Sequence, residues 1–270
     1  MTTSASCVRS GVGALLFLSL VATGCDVSLA QEDELGDQYA ESIRSQIRVL
    51  EDSTAQAWLD QVGRRLTTVA DRDSRDWHFY LVDDTTVNAF AVPGGHVFVH
   101  RGLIQLAGSY SEFAGVLGHE IAHVTLRHSV DQMRSRTKTG VIVTVVCAVV
   151  QICRSPAAQI AIDVGGQALF ARYSRDDEAQ ADSAAVGYLL AAGIDPRGIP
   201  AMFERMSALR SSRPSELESW FGSHPLEVDR VTRTSSLITR IGPARLDQLV
   251  ADEPGFAAFK EVVHQLAVSR

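Results

Sequence analysis

The sequence predicts a mainly α fold with a small β-sheet, an α+β domain, and three observations carry that expectation. Apolar residues recur at helical spacing along most of the chain. Strand composition is confined to three short runs between residues 77 and 100, two of them joined by the turn signal Pro93-Gly94-Gly95. No repeat and no Pro/Gly/Ser-rich linker divides the chain. With 46% hydrophobic residues, the roughly 245 residues beyond the N-terminal segment suffice for one sizeable core.

Taken in order, Arg9 precedes an apolar run over residues 12–22, then Thr23-Gly24-Cys25. This is the layout of an export signal, residues 1–24. The small residues before Cys25 resemble a bacterial lipobox, in which that cysteine becomes the lipidated N-terminus. Ala22 stands where leucine is usual, so simple cleavage or an uncleaved anchor stays open. Asp26 resembles the inner-membrane retention signal of enteric-type bacteria, a rule that varies among bacteria and leaves the membrane undecided. Residues 31–36 read as an acidic tether, so 25–36 joins the anchor to a domain of residues 37–270. Helices follow over 37–50 and 54–70, then strands near 77–82, 87–92 and 96–100.

Ser109 to Glu112 offers a capping box, and Phe113, Val116, Leu117, Ile121, Val124 and Leu126 recur at helix-like intervals. A helix over about 111–133 is therefore expected. It carries His119-Glu120-Ile121-Ala122-His123. Residues i and i+4 share a helix face about 6 Å apart along the axis, so the two imidazoles can converge on one tetrahedral zinc ion. Glu120 falls at the edge of that face. Its carboxylate can take a proton from water whose pKa the metal lowers to about 7, then pass it to a leaving amine.

A third protein ligand is needed. A third histidine in the extended pattern would require Gly at 126 and His at 129, but Leu126 and Ser129 stand there. His128, one position too early, reads as structural or surface. A second helix supplies the alternative in the run 174–182, where Glu178 and Asp182 are again spaced i, i+4. Glu178 can bind the metal while Asp182 accepts the second ring N–H of a ligand histidine.

Of four cysteines, Cys7 leaves with the signal and Cys25 would carry lipid. Cys147 and Cys153 could pair in an oxidising compartment, but six residues apart on a regular helix they lie on different faces; the bridge stays open. They fall in the apolar stretch 140–153, which as a helix spans about 21 Å against a hydrocarbon core of about 30 Å. A buried hairpin or helix, or a membrane-facing segment, fits it better than a full span. Beyond the Glu178 helix, helices are expected near 196–209, 226–240 and 255–268, with a polar loop or helix start over 211–219 and His264 on the surface.

Four ordered blocks resemble the membrane-associated zinc metallopeptidases, the family of HtpX, the CAAX prenyl proteases and the small periplasmic quality-control peptidases of the BepA and LoiP type. They are Asn88-Ala89-Phe90-Ala91-Val92-Pro93-Gly94-Gly95, the His119 to His123 motif, the run Ser174 to Asp182, and Ser223-His224-Pro225 with Arg230 downstream. The resemblance spans about residues 35–240 and implies a gluzincin-type domain, in which glutamate is the third zinc ligand. It implies one Zn2+ held by His119, His123 and Glu178, with Glu120 as general base. His224 would lie near the metal, either stabilising the oxyanion or acting as a movable extra ligand, and Asp182 and Arg230 would support the ligands. His96 and His100 occupy positions where the family more often has other residues, and are read as non-ligands.

Strand 88–92 could bind substrate as an added strand through Asn88, Ala89, Phe90 and Ala91, or be an internal hairpin. A formal charge of −7 with no basic run argues against nucleic acid and against strong attraction to anionic headgroups, so attachment should be by lipid. The expectation is a zinc endopeptidase of the bacterial envelope, on the periplasmic side, acting on misfolded or misassembled envelope proteins. A zinc-stabilised chaperone is the competing class.

Overall fold

The computed structural model describes residues 27–137, 172–225 and 228–268. It is mainly helical, with one three-stranded sheet. Helix α1, Leu29–Gln46, begins well before the expected residue 37, so most of the segment read as a tether is helix. The reason is local and tertiary together. Ser28 and Gln31 form a capping box, and Leu35, Tyr39 and Ala40 bury against the sheet. The buried Glu32, which made the segment look like a solvated acidic run, pairs with Arg127 at 2.7 Å. Helix α1 also lies on the turn between two strands so closely that a Cβ on Gly36 would sit 2.0 Å from the Pro93 carbonyl oxygen.

Helix α2, Ser53–Ala70, starts where the Asp52 carboxylate accepts from the Thr54 and Ala55 amides at 3.0 and 2.8 Å. Ala55, Leu59, Val62 and Leu66 form its buried stripe. Strands β1 (His78–Val82), β2 (Ala89–Val92) and β3 (His96–His100) follow, in spatial order β1-β3-β2. Central β3 runs parallel to β1 and antiparallel to β2, with Ala89 opposite Val99 and Ala91 opposite Val97. Gly94, at φ 79°, turns the chain from β2 into β3. Every residue of β3 is buried because both sheet faces are covered. Phe98 joins Leu35, Tyr39 and Val92 on the α1 side, while Val97 and Val99 belong to the main core.

After the short α3, Arg101–Leu106, comes α4, Tyr110–Thr125, capped by the Ser109 hydroxyl. Each residue from Tyr110 to Val124 is buried, so α4 is a central helix rather than an amphipathic one. Its neighbours include α2, β2, α6 (Arg175–Ala191) and α7 (Gly198–Ser212). The single helix expected over 111–133 is two. Arg127, at φ 59°, breaks it, and α5 runs His128–Thr137. That left-handed residue is strained without glycine, and its guanidinium offsets the cost by donating to Glu32 and, at 2.6 Å, to the Val27 carbonyl.

The segment read as a polar loop or helix start holds the end of α7, a 3-10 turn at Pro214–Leu217, and α8, Glu218–Ser223. Helices α9 (Val228–Thr239), α10 (Pro243–Leu246) and α11 (Pro254–Val268) complete the chain, and Trp58 of α2 stacks on Phe259 of α11 at 4.2 Å. His264 is exposed, as expected. Among the described residues no helix is long and apolar enough to cross a membrane. The export signal, Cys25, the stretch 140–153 and its two cysteines lie outside the described residues.

Candidate metal centre

The site is assembled at the middle of the main core by three segments. Helix α4 presents His119, Glu120 and His123, helix α6 presents Glu178 and Asp182, and the C-terminal end of α8 delivers His224. Small residues set the separation of the two long helices. A Cβ on Gly118 would come 2.9 Å from Leu189 Cδ1, so glycine lets α6 approach α4 one residue from His119.

Both i, i+4 pairs meet at His119. His119 Nε2 and His123 Nε2 lie 3.0 Å apart, and the Glu178 oxygens lie 3.5 and 3.4 Å from them respectively. A tetrahedral ion with ligands at about 2.0–2.1 Å has ligand atoms about 3.3–3.4 Å apart, so this donor set fits zinc. His224 Nδ1 is 3.3 Å from His119 Nε2 and 2.9 Å from Glu178 Oε1, among the same atoms. These four residues are the one cluster of metal-ligating type among the described residues. Glu120 adds a second fitting observation. Its Oε1 is buried without a hydrogen-bond partner, and His224 Nε2 is 3.6 Å away.

Behind His119 and Glu178 stands a buried ionic network. Asp182 accepts from His119 Nδ1 at 3.0 Å. Arg230 of α9, fully buried, donates to Asp182 at 2.6 and 2.9 Å and ion-pairs with Glu178 at 2.5 Å. Its guanidinium lies over Phe203, 4.3 Å from the ring centre. Burial opposes charge throughout, and the network answers it. Burial pushes His119 down, but Glu178 and Asp182 outweigh it and lift its pKa to about 9. Burial pushes His123 well below its usual value. The Glu178 carboxyl, which burial alone would raise, is held well below the usual range by His224 and His119. Burial raises Glu120.

Two residues set around the site were not singled out as part of it in the sequence. Tyr173 stacks on the His123 ring at 3.8 Å, with its hydroxyl 3.0 Å from Ser129. Trp220 stacks on His224 at 4.5 Å. His128, read as structural or surface, is buried with Nδ1 2.9 Å from His123 Nδ1. The break at Arg127 puts it there, and no helical periodicity could have foreseen that. His96 and His100 stay apart from the cluster, bonded to Tyr80 and Asp37 and to Thr86. Asn88 ties the start of β2 to α8, donating to Ser219 at 2.9 Å. Among the described residues β2 is an edge strand, with Ala89 and Ala91 buried.

An HExxH helix packed on a second helix that adds a glutamate defines a metallopeptidase site of the glutamate-third-ligand class. The chain belongs to peptidase family M48, whose family model matches residues 53–238. It is 29% identical over 228 residues to the beta-barrel assembly-enhancing protease of Escherichia coli (strain K12), covering 82% of this chain and 46% of that protein. It is similar to two metalloproteases of the same organism. One is YcaL, 32% identical over 155 residues, 57% of this chain and 59% of the relative; the other is LoiP, 28% over 211 residues, 76% and 79%. The chain spans about half the length of the assembly-enhancing proteases it matches.

Proposed function

We propose that this chain is a zinc-dependent endopeptidase of the bacterial envelope that degrades misfolded or misassembled envelope proteins. The observation that carries the reading is the convergence of His119, His123 and Glu178 at tetrahedral spacing, with an unpartnered Glu120 carboxylate oxygen beside them. Zinc held by those three residues would polarise a peptide carbonyl and lower the pKa of water to about 7. Glu120 takes the proton of the attacking water as its oxygen bonds to the carbonyl carbon. It then passes that proton to the amine nitrogen as the C–N bond breaks. Asp182 fixes the His119 ring through Nδ1, leaving Nε2 for the metal, and Arg230 orients both carboxylates. His224 lies among the ligand atoms in this conformation. That position favours the movable extra ligand, which must withdraw before substrate enters, over a fixed oxyanion donor.

An extended peptide added to the edge strand through Asn88, Ala89, Phe90 and Ala91 would be bound by main-chain hydrogen bonds, which ask little of sequence. Poor sequence selectivity suits a substrate class defined by failure to fold. The name of the assembly-enhancing relatives supports envelope proteins as substrates. Residues 1–24 are assigned as the export signal and Cys25 as the lipidated residue that holds the chain to the membrane, on the sequence pattern described above. The test compares zinc-loaded wild type with Glu120→Gln on unfolded casein. Wild type should cut and the variant should lose at least about a hundredfold in rate. Equal cleavage by both sinks the role of Glu120, and two proteins that prevent aggregation without cutting would instead define a chaperone.

A further inference from the structure

The two ligand histidines are held from behind by different chemistry. His119 Nδ1 meets the Asp182 carboxylate at 3.0 Å, whereas His123 Nδ1 meets the Nδ1 of another imidazole, His128, at 2.9 Å. Ligand histidines ordinarily donate this second N–H to a carboxylate, a backbone carbonyl or water. We infer that His128 is the positioning residue for His123, acting as a neutral acceptor that fixes its tautomer and ring orientation for zinc. The inference rests on the reading of His123 as a ligand.

Valence leaves one consistent arrangement. His123 Nε2 points at His119 Nε2 and Glu178, so as a ligand it must carry no proton, and its ring proton is on Nδ1. That N–H donates to His128 Nδ1, which must therefore be bare, with the His128 proton on Nε2, a buried atom without a hydrogen-bond partner among the described residues. A proton on both facing atoms would set N–H against N–H and turn the His123 ring away. The ring has little freedom otherwise, because Tyr173 covers one face at 3.8 Å. Tyr173 is itself tied to Ser129, the residue after His128. The left-handed Arg127 is what swings His128 off the face it would occupy on a continuous helix and behind His123. A neutral acceptor adds no negative charge to a pocket that already holds Glu120, Glu178 and Asp182.

The test measures the zinc dissociation constant by competition with a chelator in His128→Leu and His128→Asn, with no reference to peptidase activity. Asparagine places its carbonyl oxygen where His128 Nδ1 stands, so it can still accept from His123; leucine fills the space and accepts nothing. Leucine should weaken zinc binding about 10–100-fold, and asparagine should stay within about threefold of wild type. Wild-type affinity in the leucine variant, or equal weakening in both, overturns the inference. Should the leucine variant fail to fold, His128→Gln replaces it: its carbonyl lies toward the Nε2 end and should bind zinc as poorly. Failure of the underlying reading looks different, since His123→Ala would then keep wild-type zinc affinity.

Discussion

Arg230 is the residue whose removal should cost the fold most for its size. It is fully buried, lies 2.5 Å from Glu178 and 2.6 Å from Asp182, and both carboxylates are about 2% exposed. Replacing it with methionine preserves much of the volume over Phe203 but leaves the two buried carboxylates to imidazole partners, His119 for both and His224 for Glu178. Breaking a buried pair from one side costs about 3–5 kcal/mol. Against a total stability of about 5–15 kcal/mol that is a large fraction. For a domain of this size it lowers the melting temperature by about 6–20 °C. The assay is denaturant unfolding of the chelator-treated protein for wild type, Arg230→Met, Asp182→Asn and the double variant. The double variant should lose clearly less than the sum of the singles, because removing the Asp182 charge relieves part of the burden. A loss below about 1 kcal/mol in Arg230→Met, or strict additivity in the double variant, would refute the reasoning.

Two further outcomes follow from the same geometry. His119, lifted to about 9 by Glu178 and Asp182 against the opposing effect of burial, carries a proton in the metal-free protein that zinc must displace. Its folded value is raised, so its contribution to metal-free stability is full below about 6.5 and disappears as pH rises through about 9. Over that window zinc affinity should climb, and calorimetry at pH 7.5 in buffers of different ionisation enthalpy should show close to one proton released; no release would contradict the assignment. Gly36→Val should destabilise by roughly 1–3 kcal/mol, since its Cβ meets the Pro93 carbonyl backbone rather than a yielding side chain. Protease cutting within α1 should rise in that variant, and an unchanged digestion pattern would show that α1 is not docked there.

The two i, i+4 pairs, His119 with His123 and Glu178 with Asp182, were legible because each is a local helical spacing that survives burial. The β3 strand was found at its observed bounds because its apolar, β-branched run is bracketed by a turn and a helix start. What sequence could not supply depends on partners far along the chain. Helix α1 looked like an acidic tether because the mate of Glu32 is Arg127, 95 residues away. The same arginine breaks the helix after Thr125, and its bonds to Glu32 and to the Val27 carbonyl, both distant in sequence, help to hold a left-handed residue there without glycine. His128, expected to be structural or surface, is buried; its place beside His123 was not legible because the expected helix ran on without a break. Tyr173 and Trp220 were overlooked because a buried aromatic next to a histidine carries no periodic mark.

The bond from Arg127 to the Val27 carbonyl also bears on reach. Val27 is two residues from Cys25, and two residues of extended chain cover at most about 7 Å. Were Cys25 the lipidated residue, as proposed above, the domain would hang on almost no slack, with the end of its HExxH helix beside the point of attachment. A chain so held would reach only a layer about one domain deep.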